Sequence, residues 1–310
     1  IIFDMAVKKK VLVLGVTGML GHMVQKVLTE SANIGVYGTH IFDKSDFFYF
    51  DVMSGLRELE VICNQLPCYD YFINCIGILP ARIAEKDPSA IRKAIKINSL
   101  FPHELSAFAE ERGIRVIHIS TDGVFLGNAE SYQEDDTHDC PDFYGITKSL
   151  GEVDDKHFLN LRCSIIGPSP FLGEGLLEWF LKQPDGVVVS GYTNHIWHGI
   201  STFQFSQLCL KIIEGNHFET LRKESAVFHF APNEPISKFE LLSLFKEIFK
   251  KHVHVEAKAS DDKIYKRVLQ TKYRGLKKIY PFGIPVDRMV SELAFYMNKN
   301  SGDNHASSAR

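Results

Sequence analysis

Tyr144 and Lys148 stand four residues apart in Tyr144-Gly145-Ile146-Thr147-Lys148. On a helix, side chains at that spacing share a face. An ammonium beside a phenol favours the phenolate and lowers the tyrosine pKa, which suits proton exchange with a carbonyl or alcohol oxygen near neutral pH. Such a pair is common by chance, and its placement gives it weight. Thr121 comes 23 residues earlier and closes the run Ile119-Ser120-Thr121, so all three groups reach the carboxyl edge of a parallel sheet if that run is a strand. A second constellation, Gly15-Val16-Thr17-Gly18-Met19-Leu20-Gly21, directly follows an apolar run and opens a helical stretch. Glycines there let the backbone turn tightly and approach a pyrophosphate, for which a helix N-terminus offers free N–H groups and a positive dipole end.

The elements that must position these groups alternate. Lys10–Leu14, Ile34–Thr39, Tyr71–Ile76, Ile114–Ser120 and Phe158–Cys163 read as buried strands. Leu20–Glu30, Pro102–Arg112 and Tyr144–Val153 have helical period, and Gly113 gives the second a C-cap. Strands separated by helices imply right-handed βαβ crossovers and an α/β, Rossmann-type doubly wound parallel sheet. Past residue 165 the chain becomes loop-rich, with helices expected at Leu176–Leu181, Thr202–Glu214 and Ser237–Lys251 and short strands at Val187–Ser190, Ala226–Phe230 and Val253–Ala257. The expected division is a dinucleotide-binding domain over 8–165 with about 185–225, a smaller C-terminal α/β substrate-binding part over about 166–184 and 226–298, and a disordered tail over 299–310.

Composition sets the outer bounds. The 310 residues are 45% hydrophobic and 24% charged with a net charge of −3, ordinary globular values that argue against a nucleic-acid or membrane-surface protein. Six cysteines without a C-x-x-C read as reduced thiols of a cytoplasmic protein. No run of 18 apolar residues predicts a membrane span. Ile1-Ile2-Phe3-Asp4-Met5 lacks the basic region of a signal peptide, and Met5 is one candidate for a start.

The G-x-x-G-x-x-G spacing resembles the extended short-chain dehydrogenase/reductase superfamily, whose Ser/Thr–Tyr–Lys triad Thr121, Tyr144 and Lys148 match. Ser120-Thr121-Asp122-Gly123-Val124-Phe125-Leu126-Gly127 resembles S-T-D-Y-V-F-x-G, and Leu161-Arg162-Cys163-Ser164-Ile165-Ile166-Gly167 resembles L-R-x-S-x-x-G, of the dTDP-4-dehydrorhamnose reductase family. The resemblance spans about 8–298. It implies hydride transfer from a nicotinamide to C4 of a nucleotide-linked 4-keto-6-deoxy sugar, in deoxysugar or polysaccharide precursor synthesis. Tyr144 would donate the proton, Lys148 would hold the cofactor ribose, Thr121 would bind the keto oxygen and Asn98 would support the lysine. Cofactor contacts would come from Gly15, Thr17, Gly18, Met19, Leu20, Gly21, Ser120, Tyr144 and Lys148. Asp51 with Val52 resembles the adenine-contacting site, and Asn74-Cys75-Ile76-Gly77 resembles N-x-A-G. Where an acid would grip the adenosine ribose stand Thr39 and His40, so NADP(H) is preferred and NAD(H) allowed, with His40 or Lys44 facing the extra phosphate. Asp122, Gly123, Gly167 and Trp197 would border the sugar, and a homodimer through the helices beside Tyr144 is the assembly that the superfamily suggests.

One position departs from the family: glycine occupies 123, where tyrosine is usual, leaving room for a larger sugar substituent such as an N-acetyl group. Gly123 also supplies neither the cysteine of the related bifunctional epimerases nor the second carboxylate of the dehydratases. Arg162 reads as structural; Arg267 and Arg274 read as a solvated helix face, with contact to a diphosphate as the alternative. His252, His254, His195, His198 and the pair Cys63/Cys68 read as neither metal nor redox sites. The competing functions are a nucleotide-sugar epimerase or dehydratase, and a non-catalytic NADP-binding subunit like that of methionine adenosyltransferase.

Overall fold

The computed structural model describes residues 8–42, 47–65, 68–140 and 142–301. Lys44, the leading residues Ile1–Met5 and the tail beyond 301 lie outside them. In chain order the first part comprises β1 (Lys9–Leu14), α1 (Gly21–Thr29), β2 (Ile34–His40), β3 (Phe48–Tyr49), α2 (Arg57–Gln65), β4 (Tyr71–Asn74), α3 (Pro88–Ala94), α4 (Phe101–Arg112), β5 (Arg115–Thr121), α5 (Phe143–Leu150) and β6 (Phe158–Cys163). Then follow β7 (Ile165–Ile166), α6 (Leu176–Leu181), β8 (Val188–Tyr192), β9 (His195–Trp197), β10 (Ile200–Ser201), α7 (Thr202–Glu214), α8 (Phe218–Glu224) and β11 (Val227–His229). The last are β12 (Ile236–Ser237), α9 (Lys238–Ile248), β13 (His254–Lys258), β14 (Tyr265–Lys266), α10 (Gly275–Ile279) and α11 (Val286–Ser301).

Seven parallel strands form the main sheet in the order β11-β6-β5-β4-β1-β2-β3, the doubly wound Rossmann arrangement. The alternation along β1 explains both faces. Val11 and Val13 pack with Val24 and Leu28 of α1 and with Leu208 and Ile212 of α7. Leu12 and Leu14 pack with Leu59 and Ile62 of α2 and with Phe101 and Leu105 of α4. A strand buried on both sides reads as an uninterrupted apolar run. Gly113 ends α4 at φ +65°, the expected left-handed C-cap. Ser201 and Ser237 open α7 and α9 with reciprocal capping boxes to Gln204 and Glu240.

A third core, built from α6, α9 and α11 around Phe180, Phe245 and Leu293, carries the smaller part with its three short sheets. Two expectations need correction. Val227–His229, assigned to that smaller part, instead forms the edge strand of the main sheet beside β6. Residues 299–301, assigned to the tail, continue α11. No helix among the described residues is long and apolar enough to cross a membrane.

Candidate active site

The strand order reverses direction beside β1, where β4 and β5 continue on one side and β2 on the other. Ligands of such sheets bind outside the strand ends at this switch point. A cavity of about 360 Å³ opens there, walled by the glycine turn (Gly18–Leu20), the segment after β4 (Cys75–Gly77) and the end of β5 (Ile119–Gly123). Tyr144 and Lys148 enter it from α5.

The turn is built for close approach. Gly15 sits at φ +84°, and a Cβ on Gly21 would lie 2.1 Å from the Gly15 carbonyl oxygen. Only glycine lets α1 start that near β1. Thr39 pins the turn from β2, its hydroxyl accepting from Gly15 N–H at 3.2 Å and its carbonyl from Val16 N–H at 2.9 Å. Thr39 is fully buried in this role. His40 is likewise committed: Nδ1 accepts from Phe42 N–H at 2.9 Å, which leaves Nε2–H to donate to the Phe47 carbonyl at 3.2 Å. Asp51 caps the short helix Val52–Ser54 through Met53 N–H, and Val52 is buried in the core. Thr17, Thr39, His40, Asp51 and Val52 therefore lie off the cavity wall, whereas Gly18, Met19, Leu20, Cys75, Ile76 and Gly77 line it. The turn and helix N-terminus suit the pyrophosphate of a dinucleotide.

Thr121, Tyr144 and Lys148 are brought together. Thr121 caps the turn Asp122–Val124, accepting from Gly123 N–H at 3.0 Å, and its hydroxyl also interacts with the Tyr144 phenol. The expected depression of the tyrosine pKa is not found. Burial pushes the half-buried phenol up to about 12, the Thr121 hydroxyl opposing. Lys148 turns instead to the Ile119 carbonyl, donating at 2.7 Å, and burial lowers its amine to about 8. Spacing on a helix fixes which face a side chain leaves from, and the long lysine stem decides where its charge ends. Asp122 sits beside Thr121, its carboxyl raised by burial and held back by the Arg267 guanidinium.

Asn98 lies in a π-helical stretch, Ile95–Leu100, and is 1% exposed. Its amide accepts from Ile78 N–H at 2.8 Å and donates to the Ile78 carbonyl and to the Thr147 hydroxyl. It ties the segment after β4 to α5 through Thr147 rather than reaching Lys148.

Other expected residues sit elsewhere. Ser120 reaches the wall, but its hydroxyl donates to Glu152 at 2.5 Å. Glu152 is held below the usual carboxylate range, against its burial, by a bidentate pair with Arg162, which is 3% exposed and structural as expected. Gly167 packs against Thr202, and Trp197 is buried with its indole N–H on Ser164 Oγ at 3.0 Å, so neither lines the cavity. Gly123 does, yet its missing side chain leaves no empty space: a Cβ there would already be 3.0 Å from the Tyr144 ring.

Arg82, Glu174 and Ser169 escaped the sequence reading, and Arg267 takes the less favoured of its two expected places. Arg82 and Glu174 pair at 2.7 Å at the cavity wall, across 92 residues of chain. Ser169 lines it with a buried, unpartnered hydroxyl. Arg267 does so from a loop after β14, not from a helix face, and Arg274 stays outside. The triad at the edge of a sheet was the signal for the site; nothing local marks Arg82 or Ser169. Among the described residues no group of three or more His, Cys, Asp or Glu could hold a metal ion.

A doubly wound parallel sheet with a glycine turn and a hydroxyl–phenol–amine set at its switch point defines a Rossmann-type protein. Residues 9–166 match the family model described as RmlD substrate binding domain, and the chain belongs to that RmlD-like family. It is 29% identical over 143 residues to a probable low-salt glycan biosynthesis reductase of Haloferax volcanii, covering 45% of this chain and 46% of that protein. The match thus spans about half of that relative's length. Methionine adenosyltransferase 2 subunit beta of Xenopus tropicalis is 23% identical over 248 residues, 78% of this chain and 72% of that protein. The solved structure of dTDP-4-dehydrorhamnose reductase from Bacillus anthracis, a complex with NADP, superposes with a TM-score of 0.74 over 93% of this chain and 99% of that one, at 17% identity.

Proposed function

We propose that this chain is an NAD(P)H-dependent reductase of a nucleotide-linked 4-keto-6-deoxy sugar, serving deoxysugar or polysaccharide precursor synthesis. The observation that carries the reading is the meeting of Thr121, Tyr144 and Lys148 in one cavity with the glycine turn. NADP(H) is the preferred cofactor, because β2 itself ends in Thr39 and His40 rather than in an acid that would repel a 2′-phosphate. The nicotinamide, when bound, supplies the hydride.

The chain's own residues supply position and protons. Tyr144 is a neutral phenol at pH 7, and burial keeps it so to well above neutral pH, so it is loaded to donate to the oxygen that becomes the alcohol. The Thr121 hydroxyl fixes that oxygen's distance. Lys148, titrating near 8, exchanges protons with the phenol's side of the site. Asp122 and Gly123 border the sugar, and Arg267 and Arg82 are the wall cations available to a diphosphate.

The test is NADPH consumption with a 4-keto-6-deoxy nucleotide sugar generated in situ, with 2-acetamido and 2-hydroxy sugars fed side by side. Turnover of either supports the reading, and the ratio reports the sugar. Rejection of both while NADPH binds favours the second reading, a non-catalytic NADP-binding subunit, whose support is the longer match to the Xenopus subunit. A dehydratase is disfavoured, since Gly123 follows Asp122 where elimination needs a second carboxylate, and an epimerase would hold its cofactor tightly and show no net NADPH consumption.

A further inference from the structure

His118 is a buried histidine that the reaction above does not use. It lies on β5, 1% exposed, between Asn74 of β4 and Lys148 of α5. Three contacts fix its protons. The Asn74 side-chain oxygen accepts from Ile76 N–H at 3.1 Å, so the amide nitrogen is the group facing His118 Nδ1 at 3.0 Å. An amide NH₂ can only donate, so Nδ1 accepts and the ring proton sits on Nε2. Nε2 in turn lies 3.4 Å from the Lys148 amine, which already donates to the Ile119 carbonyl at 2.7 Å. A charged ammonium would set N–H against N–H there, whereas the uncharged amine offers a lone pair.

We propose that His118 is a positioning residue for Lys148: locked by Asn74 with its proton on Nε2, it points an N–H at the amine and favours the uncharged, proton-accepting form. The other groups facing the amine pull the opposite way. They are Glu152, two residues past the end of α5, whose carboxylate is already paired with Arg162, and Cys163 on β6. Burial, and the Lys148 amine whenever it is protonated, keep the imidazole neutral, its pKa held well below the ordinary range. The N–H from His118 and the desolvation of the amine thus act together, and Lys148 can both take and give a proton near neutral pH, where a relay group works best. The inference deepens the reductase reading by naming what sets the lysine's protonation. Its chemistry is measurable without turnover.

Long-range 1H–15N correlation on histidine-labelled, cofactor-free protein reads the tautomer directly; the His118 signals are those absent from His118→Gln. The expected pattern is a bare Nδ1 and a protonated Nε2 across neutral pH, and the reverse pattern overturns the proposal. The 13Cε resonance of Lys148, identified by its loss in Lys148→Met, is then titrated. Its midpoint is expected near pH 8 in the parent protein. In His118→Phe it rises by about one pH unit, and in His118→Gln, which restores an N–H at that reach, it stays low. An unchanged midpoint in folded His118→Phe overturns the proposal. If His118→Phe does not fold, the tautomer in the parent protein still decides it. A protein inert toward every 4-keto sugar would give both results unchanged, so failure of the reductase reading is read separately.

Discussion

The Lys148 amine donates to the Ile119 carbonyl at 2.7 Å, tying α5 to the last turn of β5 at the cavity wall. Tyr144 stands one helical turn earlier on the same wall. Burial acts on the two groups in opposite directions, raising the phenol to about 12 and lowering the amine to about 8. In both cases the uncharged form gains, so the resting site stores its proton on the phenol.

That burial has a stability consequence. Lys148 titrates near 8 in the folded protein and near 10.4 when unfolded, so between these values the unfolded chain binds more protons. Stability from this group therefore rises with pH from about 8 to about 10.4 and is lowest below that window. Lys148→Met removes a penalty of about 3 kcal/mol at pH 7, offset by about 1 kcal/mol for the lost bond to Ile119. The variant should be more stable than the parent at pH 7 in urea unfolding, by about 2 kcal/mol, with the difference vanishing toward pH 10. An equal gain at both pH values would contradict the assignment.

The glycine turn separates two substitutions that look alike in sequence. Gly21→Ala would force a Cβ to 2.1 Å from the Gly15 oxygen, whereas a Cβ on Gly18 would meet that oxygen at 3.4 Å. Gly21→Ala should destabilise the fold by about 3 kcal/mol, and Gly18→Ala by less than about 1 kcal/mol. Thermal unfolding of the two variants checks this, and equal melting temperatures would refute the packing given for the turn.

Glu152 pairs with Arg162 at 2.7 Å, with side chains 7% and 3% exposed. Glu152→Ala strands the guanidinium and should cost about 3–5 kcal/mol, and Glu152→Gln less. The carboxyl is depressed, so its stabilisation is present above the unfolded value and fades as pH falls through the folded one. Denaturant unfolding of the parent as pH falls below the unfolded glutamate value of about 4.3 should register this loss, and the same series on Glu152→Ala should lack this contribution.

Gly123 tests how closely the wall fits the phenol. A Cβ there would lie 3.0 Å from Tyr144 Cε1 and 3.1 Å from Thr121 Oγ1. Gly123→Ala should lower kcat about tenfold or more by displacing that pair, while cofactor affinity holds. Unchanged kcat would mean that the pair yields without loss.

What could be read from the chain followed the range of each signal. The run before Gly15 and the spacing of Gly15, Gly18 and Gly21 are local, and they located β1, the turn and α1. Tyr144 and Lys148 share a helix face by spacing alone, and Thr121 closes a strand. The direction of Lys148's ammonium was not legible, since it depends on the Ile119 carbonyl across a βα crossover. Arg82 and Glu174 are 92 residues apart and meet only through loops, and the pairing of Val227–His229 with β6 joins segments with no shared local signal. Thr39, His40 and Asp51 stood at the expected strand ends but are taken up by backbone donors and acceptors, a competition that residue type does not reveal.

The most direct test of the central claim is NADPH oxidation by the parent protein and by Tyr144→Phe with a 4-keto-6-deoxy nucleotide sugar, alongside NADPH binding by both. The account predicts turnover in the parent, a loss of about 10²–10⁴-fold in the variant and NADPH binding retained in each. Turnover that survives in Tyr144→Phe, or its absence in a parent protein that binds NADPH, would contradict it.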